Sequence, residues 1–99
     1  MGFNVIIPQP VHDRIEEIYC YTAIDKGNPD DAQRLVDRIY KAIASLDMFP
    51  ERGADLVKGR YANQGFQWIP EGHYMIVYKI VGNDVILHTV RHELEEESD

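Results

Sequence analysis

The chain has 99 residues, 44% hydrophobic and 27% charged, enough for one compact core and too few for a second domain. Its net charge is −7, and five of the negatives (Glu93, Glu95, Glu96, Glu97 and Asp99) fall in the last seven residues, so residues 1–92 carry only −2. That sign excludes general attraction of phosphate over the whole surface, and no run of lysine and arginine in the sequence opposes it.

Phe3-Asn4-Val5-Ile6-Ile7 is short and β-branched, and Pro8 and Pro10 close it, so a first strand is expected at about 3–7. From Val11 onward Ile15, Ile18, Tyr19 and Thr22 keep helical spacing with Asp13, Arg14, Glu16 and Glu17 on the other side, which predicts an amphipathic helix over about 10–24. Lys26-Gly27-Asn28-Pro29 breaks it, with Asn28 placed to cap a second helix and Asp30 and Asp31 suited to its positive end. Ala32, Leu35, Val36, Ile39, Tyr40, Ile43 and Leu46 carry that helix from 29 to about 48, where Pro50 and Gly53 stop it.

The second half reads as β structure. Phe66-Gln67-Trp68-Ile69 is a strand, Pro70-Glu71-Gly72 a turn, and Tyr74 to Val81 a strand with Tyr74, Ile76, Tyr78 and Ile80 on one face. Gly82-Asn83 is a two-residue hairpin signal before a strand from Val85 to about Arg91. An uninterrupted register sets Ile80 opposite Val85, Tyr78 opposite Leu87, Ile76 opposite Thr89 and Tyr74 opposite Arg91, with His73 across from His92 on the other face.

The element order β-α-α-β-β-β, the loop Phe49-Pro50-Glu51-Arg52-Gly53, the Tyr74-x-Ile76-x-Tyr78 strand and the closing Val90-Arg91-His92 together resemble the RelE/ParE superfamily of bacterial toxins. The resemblance spans nearly the whole chain. It implies an α+β fold, a helical hairpin packed on a small curved antiparallel sheet, with residues 1–92 as one toxin domain and 93–99 as an acidic C-terminal tail. It also implies a type II toxin–antitoxin module for plasmid stabilisation, with a cognate antitoxin as partner and operator DNA reached only through that antitoxin.

Two activities run through the superfamily. RelE-like members resemble ribosome-dependent mRNA endonucleases, with basic residues on the central strands stabilising the phosphate transition state. ParE-like members poison DNA gyrase and need no catalytic set. Here Met75 stands after Tyr74, residues 66–69 hold no basic side chain, and Glu93-Leu94-Glu95 follows the last strand, so the ParE-like reading is favoured. A His-x-Arg ending common among ParE-like chains is replaced by His92-Glu93-Leu94. The alternatives are a RelE-type nuclease using His92 and Arg91 with Arg60 as phosphate contact, and a non-toxic descendant that keeps antitoxin binding.

Among individual residues, His73 and His92 meet at the open end of the hairpin, where imidazoles serve as bases, target contacts or ordinary edge residues. Without a Cys or carboxylate at ligand spacing they predict no metal site. Arg60, with Lys58 and Arg52, forms the one local cationic cluster, a phosphate or acidic-partner contact or else a solvated loop. Arg91 is expected to pack on Tyr74 or bind a carboxylate. Tyr19, Tyr40 and Tyr78 read as core, and His12 and His88 as structural. Cys20 has no partner for an internal disulfide and no cationic neighbour in sequence to activate it. No Gly-rich phosphate loop or Gly-x-Ser-x-Gly elbow is present, so no cofactor is expected. With no apolar run of ~18–20 residues and no signal-peptide pattern after Met1, a cytoplasmic protein is expected.

Overall fold

The computed structural model describes residues 2–94. The expected acidic tail therefore lies outside the described residues, apart from Glu93 and Leu94. In chain order the elements are β1 (Asn4–Ile6), α1 (Gln9–Cys20), α2 (Pro29–Ala44), β2 (Ala54–Asp55), β3 (Phe66–Glu71), β4 (Tyr74–Val81) and β5 (Asp84–His92). One wider, π-type turn, Tyr21–Asp25, prolongs α1, and short 3-10 turns fill Ser45–Asp47 and Pro50–Arg52.

Local chemistry sets these limits. Pro10 falls in the first turn of α1, where its missing N–H has no intrahelical partner to lose. Gly27 takes φ +65°, a left-handed value that costs a side-chain-free residue little, and turns the chain into α2. Asn28 caps α2 by accepting a hydrogen bond from the Asp31 backbone N–H at 3.1 Å, and Pro29 follows at the first helical position.

The five strands form one open sheet in the order β1-β5-β4-β3-β2. β1 runs parallel to β5 and the other pairs are antiparallel, so the sheet is mixed where an all-antiparallel one was expected. The reason is topological: β1 feeds directly into the helices, and the chain returns beside it only after crossing the whole sheet. β2 is two residues long, too short to leave a periodic signal. β3 runs through Pro70 to Glu71, and the turn is Gly72-His73 instead of 70–72. Proline is tolerated there because β2 pairs only with Gln67 and Trp68, leaving the Pro70 side of β3 an edge.

The β4–β5 register agrees with expectation at Ile80–Val85 and Tyr78–Leu87, then slips. A bulge between Val77 and Tyr78 leaves His88 as the extra residue, so Ile76 pairs with Val90, Met75 with Arg91 and Tyr74 with His92. A one-residue shift exchanges faces, which removes Arg91 from its expected place opposite Tyr74.

Both helices lie on one face of the sheet. Val11, Ile15 and Ile18 of α1, Ile39 and Ile43 of α2, and Leu46 interlock with Ile69, Ile76, Tyr78, Val85, Leu87 and Val90. At the base of this core the Tyr78 hydroxyl, fully buried, donates to the Pro50 carbonyl at 2.6 Å. A Cβ on Gly53 would overlap that hydroxyl and stand 3.0 Å from the Trp68 carbonyl oxygen. The Pro50-Glu51-Arg52-Gly53 loop is thus a docking feature for one tyrosine. None of the described helices is long and apolar enough to cross a membrane.

Candidate functional site

Alternation along β5 sends neighbouring side chains to opposite faces, and this separates the residues singled out in the sequence. His92 lies opposite Tyr74 on the helix side; Arg91 lies opposite Met75 on the outer face. They do not converge on one substrate atom.

Although the bulge moves His92 opposite Tyr74, His73 and His92 remain neighbours. Their rings stack at 6.1 Å between centroids, and Tyr74 meets the His92 ring edge-on at 5.2 Å. The Leu94 backbone N–H donates to His92 Nδ1 at 3.1 Å, so Nδ1 is the acceptor and the neutral ring carries its proton on Nε2. His73 Nδ1 lies 2.9 Å from Glu93 Oε1, and the Glu93 backbone N–H donates to the His73 carbonyl at 2.8 Å. These bonds fold the chain end after β5 against the Gly72-His73 turn.

Beside this pair an open groove of about 650 Å³ separates the far end of the helical hairpin from the end of β4 and β5. Its floor is Ile18, Leu35 and Tyr74, and Arg14, Lys26 and Arg38 stand around it. Arg14 Nε donates to the Val90 carbonyl at 2.8 Å, which ties α1 to β5, and Arg38 Nε reaches Glu71 at 3.4 Å.

The outer face has a different chemistry. Phe66, His88 and Tyr61 form an aromatic cluster, with the His88 ring 4.7 Å from Phe66 and 4.5 Å from Tyr61. Lys79 Nζ stands 5.1 Å from the Phe66 centroid, and the Arg60 guanidinium 5.7 Å from that of Tyr61. Arg60 therefore joins this cluster and not the histidine pair. Lys79, Tyr61 and His88 were missed as site candidates. Lys79 was readable, since it alternates with Tyr78 on β4; Tyr61 lies in an aperiodic loop, and the bulge at His88 has no glycine or proline to announce it. Elsewhere, His12 Nδ1 lies 2.7 Å from the Tyr40 hydroxyl; desolvation, then the neighbouring Glu16 carboxylate, pushes that phenol's pKa up. Among the described residues no group of three His, Cys, Asp or Glu is placed to hold a metal ion.

Two solved structures share this architecture. The chromosomal ParDE toxin–antitoxin system from P. aeruginosa matches with a TM-score of 0.72 at 13% identity, covering 91% of this chain and 95% of that one. The toxin–antitoxin complex RelBE2 from Mycobacterium tuberculosis matches at 0.68 and 15% identity, covering 93% and 99%. At such identities the likeness shows the fold alone. No curated protein matches the chain significantly. Residues 5–96 match the family model described as ParE toxin of type II toxin-antitoxin system, parDE, and the chain belongs to that family.

Proposed function

We propose that this chain, held inactive by a cognate antitoxin, acts by binding and poisoning DNA gyrase without bond chemistry of its own. The observation that carries this reading is the divergence of Arg91 and His92 to opposite faces of the sheet. Phe66 and Trp68 of β3 and Met75 of β4 also present rings and a thioether at positions where RNA transesterification would draw on cations, which leaves Lys79 and Arg91 to carry the charge of the strands on that face. Losing such charge stabilisation costs an RNA-cleaving site several kcal/mol, on the order of 3 per missing contact. Protein recognition has no such requirement.

A second reading, ribosome-dependent mRNA cleavage, draws on one feature. The Phe66–His88–Tyr61 cluster with Lys79 and Arg60 at its rings has the composition of a base-stacking platform. Induced expression in a bacterium separates the two. Gyrase poisoning is expected to give growth arrest with double-strand DNA breaks and intact mRNA. Arrest with fragmented mRNA and intact DNA would overturn it, and substitution of Lys79 by alanine should then relieve the arrest.

A further inference from the structure

We propose that His73 and His92 form a proton-sensitive latch, which fastens the segment leaving β5, Glu93-Leu94, across the Gly72-His73 turn and lets go of its Leu94 end when His92 takes up a proton. This goes beyond the toxin reading and does not depend on it.

The two rings hold the segment by different chemistry. His92 Nδ1 accepts from the Leu94 backbone N–H at 3.1 Å, which requires a lone pair on that nitrogen. An imidazolium carries a proton on both nitrogens, so a charged His92 cannot make this bond. His73 Nδ1 faces Glu93 Oε1 at 2.9 Å, and a carboxylate accepts from a neutral Nδ1–H ring and from a charged one alike. The third bond, from the Glu93 backbone N–H to the His73 carbonyl at 2.8 Å, contains no titrating atom. A proton therefore acts in opposite directions at the two ends. On His73 it adds charge attraction to Glu93; on His92 it removes an acceptor.

The stacking of the rings adds to this asymmetry. Their planes are 27° apart with centroids at 6.1 Å, so a charge on both sets two cations face to face. The groups that face the pair are Glu93 from the segment itself, Tyr74 from β4, Arg14 from α1, Arg38 from α2, and Tyr21 and Lys26 from the π-type turn and its end. Arg14 and Arg38 engage Glu17 and Glu71, which leaves Glu93 as the carboxylate set against the His73 ring.

Little else fixes this segment. Leu94 is 81% exposed, so apolar burial contributes little and the hydrogen bonds set its position. Gly72, His73, His92 and Leu94 together border the open groove, and release of Leu94 alters both that border and the direction in which the acidic residues 95–99 depart. Imidazole is the side chain whose charge ordinarily changes between about pH 5 and about pH 8, which places the response in the physiological range.

The test is solvent exchange of the backbone amides in the ¹⁵N-labelled 99-residue chain between about pH 8 and about pH 5, each rate divided by that amide's intrinsic rate at the same pH. Protection of the Leu94 amide is expected to fall about fivefold on acidification, the loss of one hydrogen bond, while that of Glu93 stays constant. His92→Asn substitutes an amide oxygen that accepts without titrating, and should keep Leu94 protected across the range. His92→Phe retains a ring to stack but no acceptor, and should leave Leu94 unprotected throughout. The proposal is overturned by a Leu94 amide that is unprotected at the alkaline end, by protection that does not change with pH, or by an equal fall in His92→Asn. A fall shared by the amides along β5 would report opening of the strand and overturn it as well.

Discussion

Replacing Gly53 by alanine is expected to cost about 3 kcal/mol of folding stability, the upper range for overpacking plus a lost buried hydrogen bond. The added methyl would occupy the space of the Tyr78 hydroxyl, which is fully buried and donates to Pro50. Tyr78 cannot withdraw, because its ring packs among the residues that join β4 to the helices. Nor can the loop move freely, since Gln67 Nε2 donates to the Gly53 carbonyl at 3.1 Å and β2 begins at the next residue. Tyr78→Phe alone should cost about 1 kcal/mol, the net worth of one buried hydrogen bond. The two changes should be less than additive, because phenylalanine removes the atom that the new methyl meets. Urea denaturation of both single variants and the double variant measures this coupling. Additive costs would show that the loop and the tyrosine are not a lock.

The same tyrosine sets a stability limit at high pH. Burial pushes the Tyr78 phenol up from its ordinary value, a shift that the Arg52 guanidinium partly opposes. A group whose folded-state pKa lies above its unfolded value contributes stability fully below the unfolded value, near 10 for tyrosine. That contribution is lost as the pH rises toward the folded value, since the unfolded chain gives up its proton first. Denaturation midpoints should therefore fall steeply above about pH 10, and Tyr78→Phe should flatten that fall while lowering stability at neutral pH. The Tyr40 phenol is also raised, so some slope will persist in the variant. An unchanged slope would contradict the assignment to Tyr78.

Much of the fold was legible because its signals are periodic. The α2 stripe of Ala32, Ile39 and Ile43 is buried as its spacing requires, and Gly27 to Pro29 separate the helices where the breakers stand. Tyr78 faces the core as alternation on β4 predicts. What escaped was aperiodic or non-local. The parallel pairing of β1 with β5 depends on a crossover that no local pattern encodes. Pro70 reads as a turn residue, yet the shortness of β2 turns that part of β3 into an edge. The bulge at His88 is the most consequential miss. One extra residue exchanged the faces of Arg91 and His92, setting His92 opposite Tyr74 and Arg91 opposite Met75, while the His73 and His92 rings still stack.

The central claim, that a ParE-family fold without a convergent catalytic set acts on gyrase, meets its most direct test in a reconstituted supercoiling assay. Purified gyrase, relaxed plasmid and ATP are titrated with the 99-residue chain, and both supercoiled product and trapped cleaved DNA are measured. Dose-dependent loss of supercoiling with accumulation of cleaved DNA is the expected result, and it should persist in His92→Ala if the chain acts by binding alone. Full supercoiling at a large molar excess of the chain over gyrase would contradict gyrase poisoning.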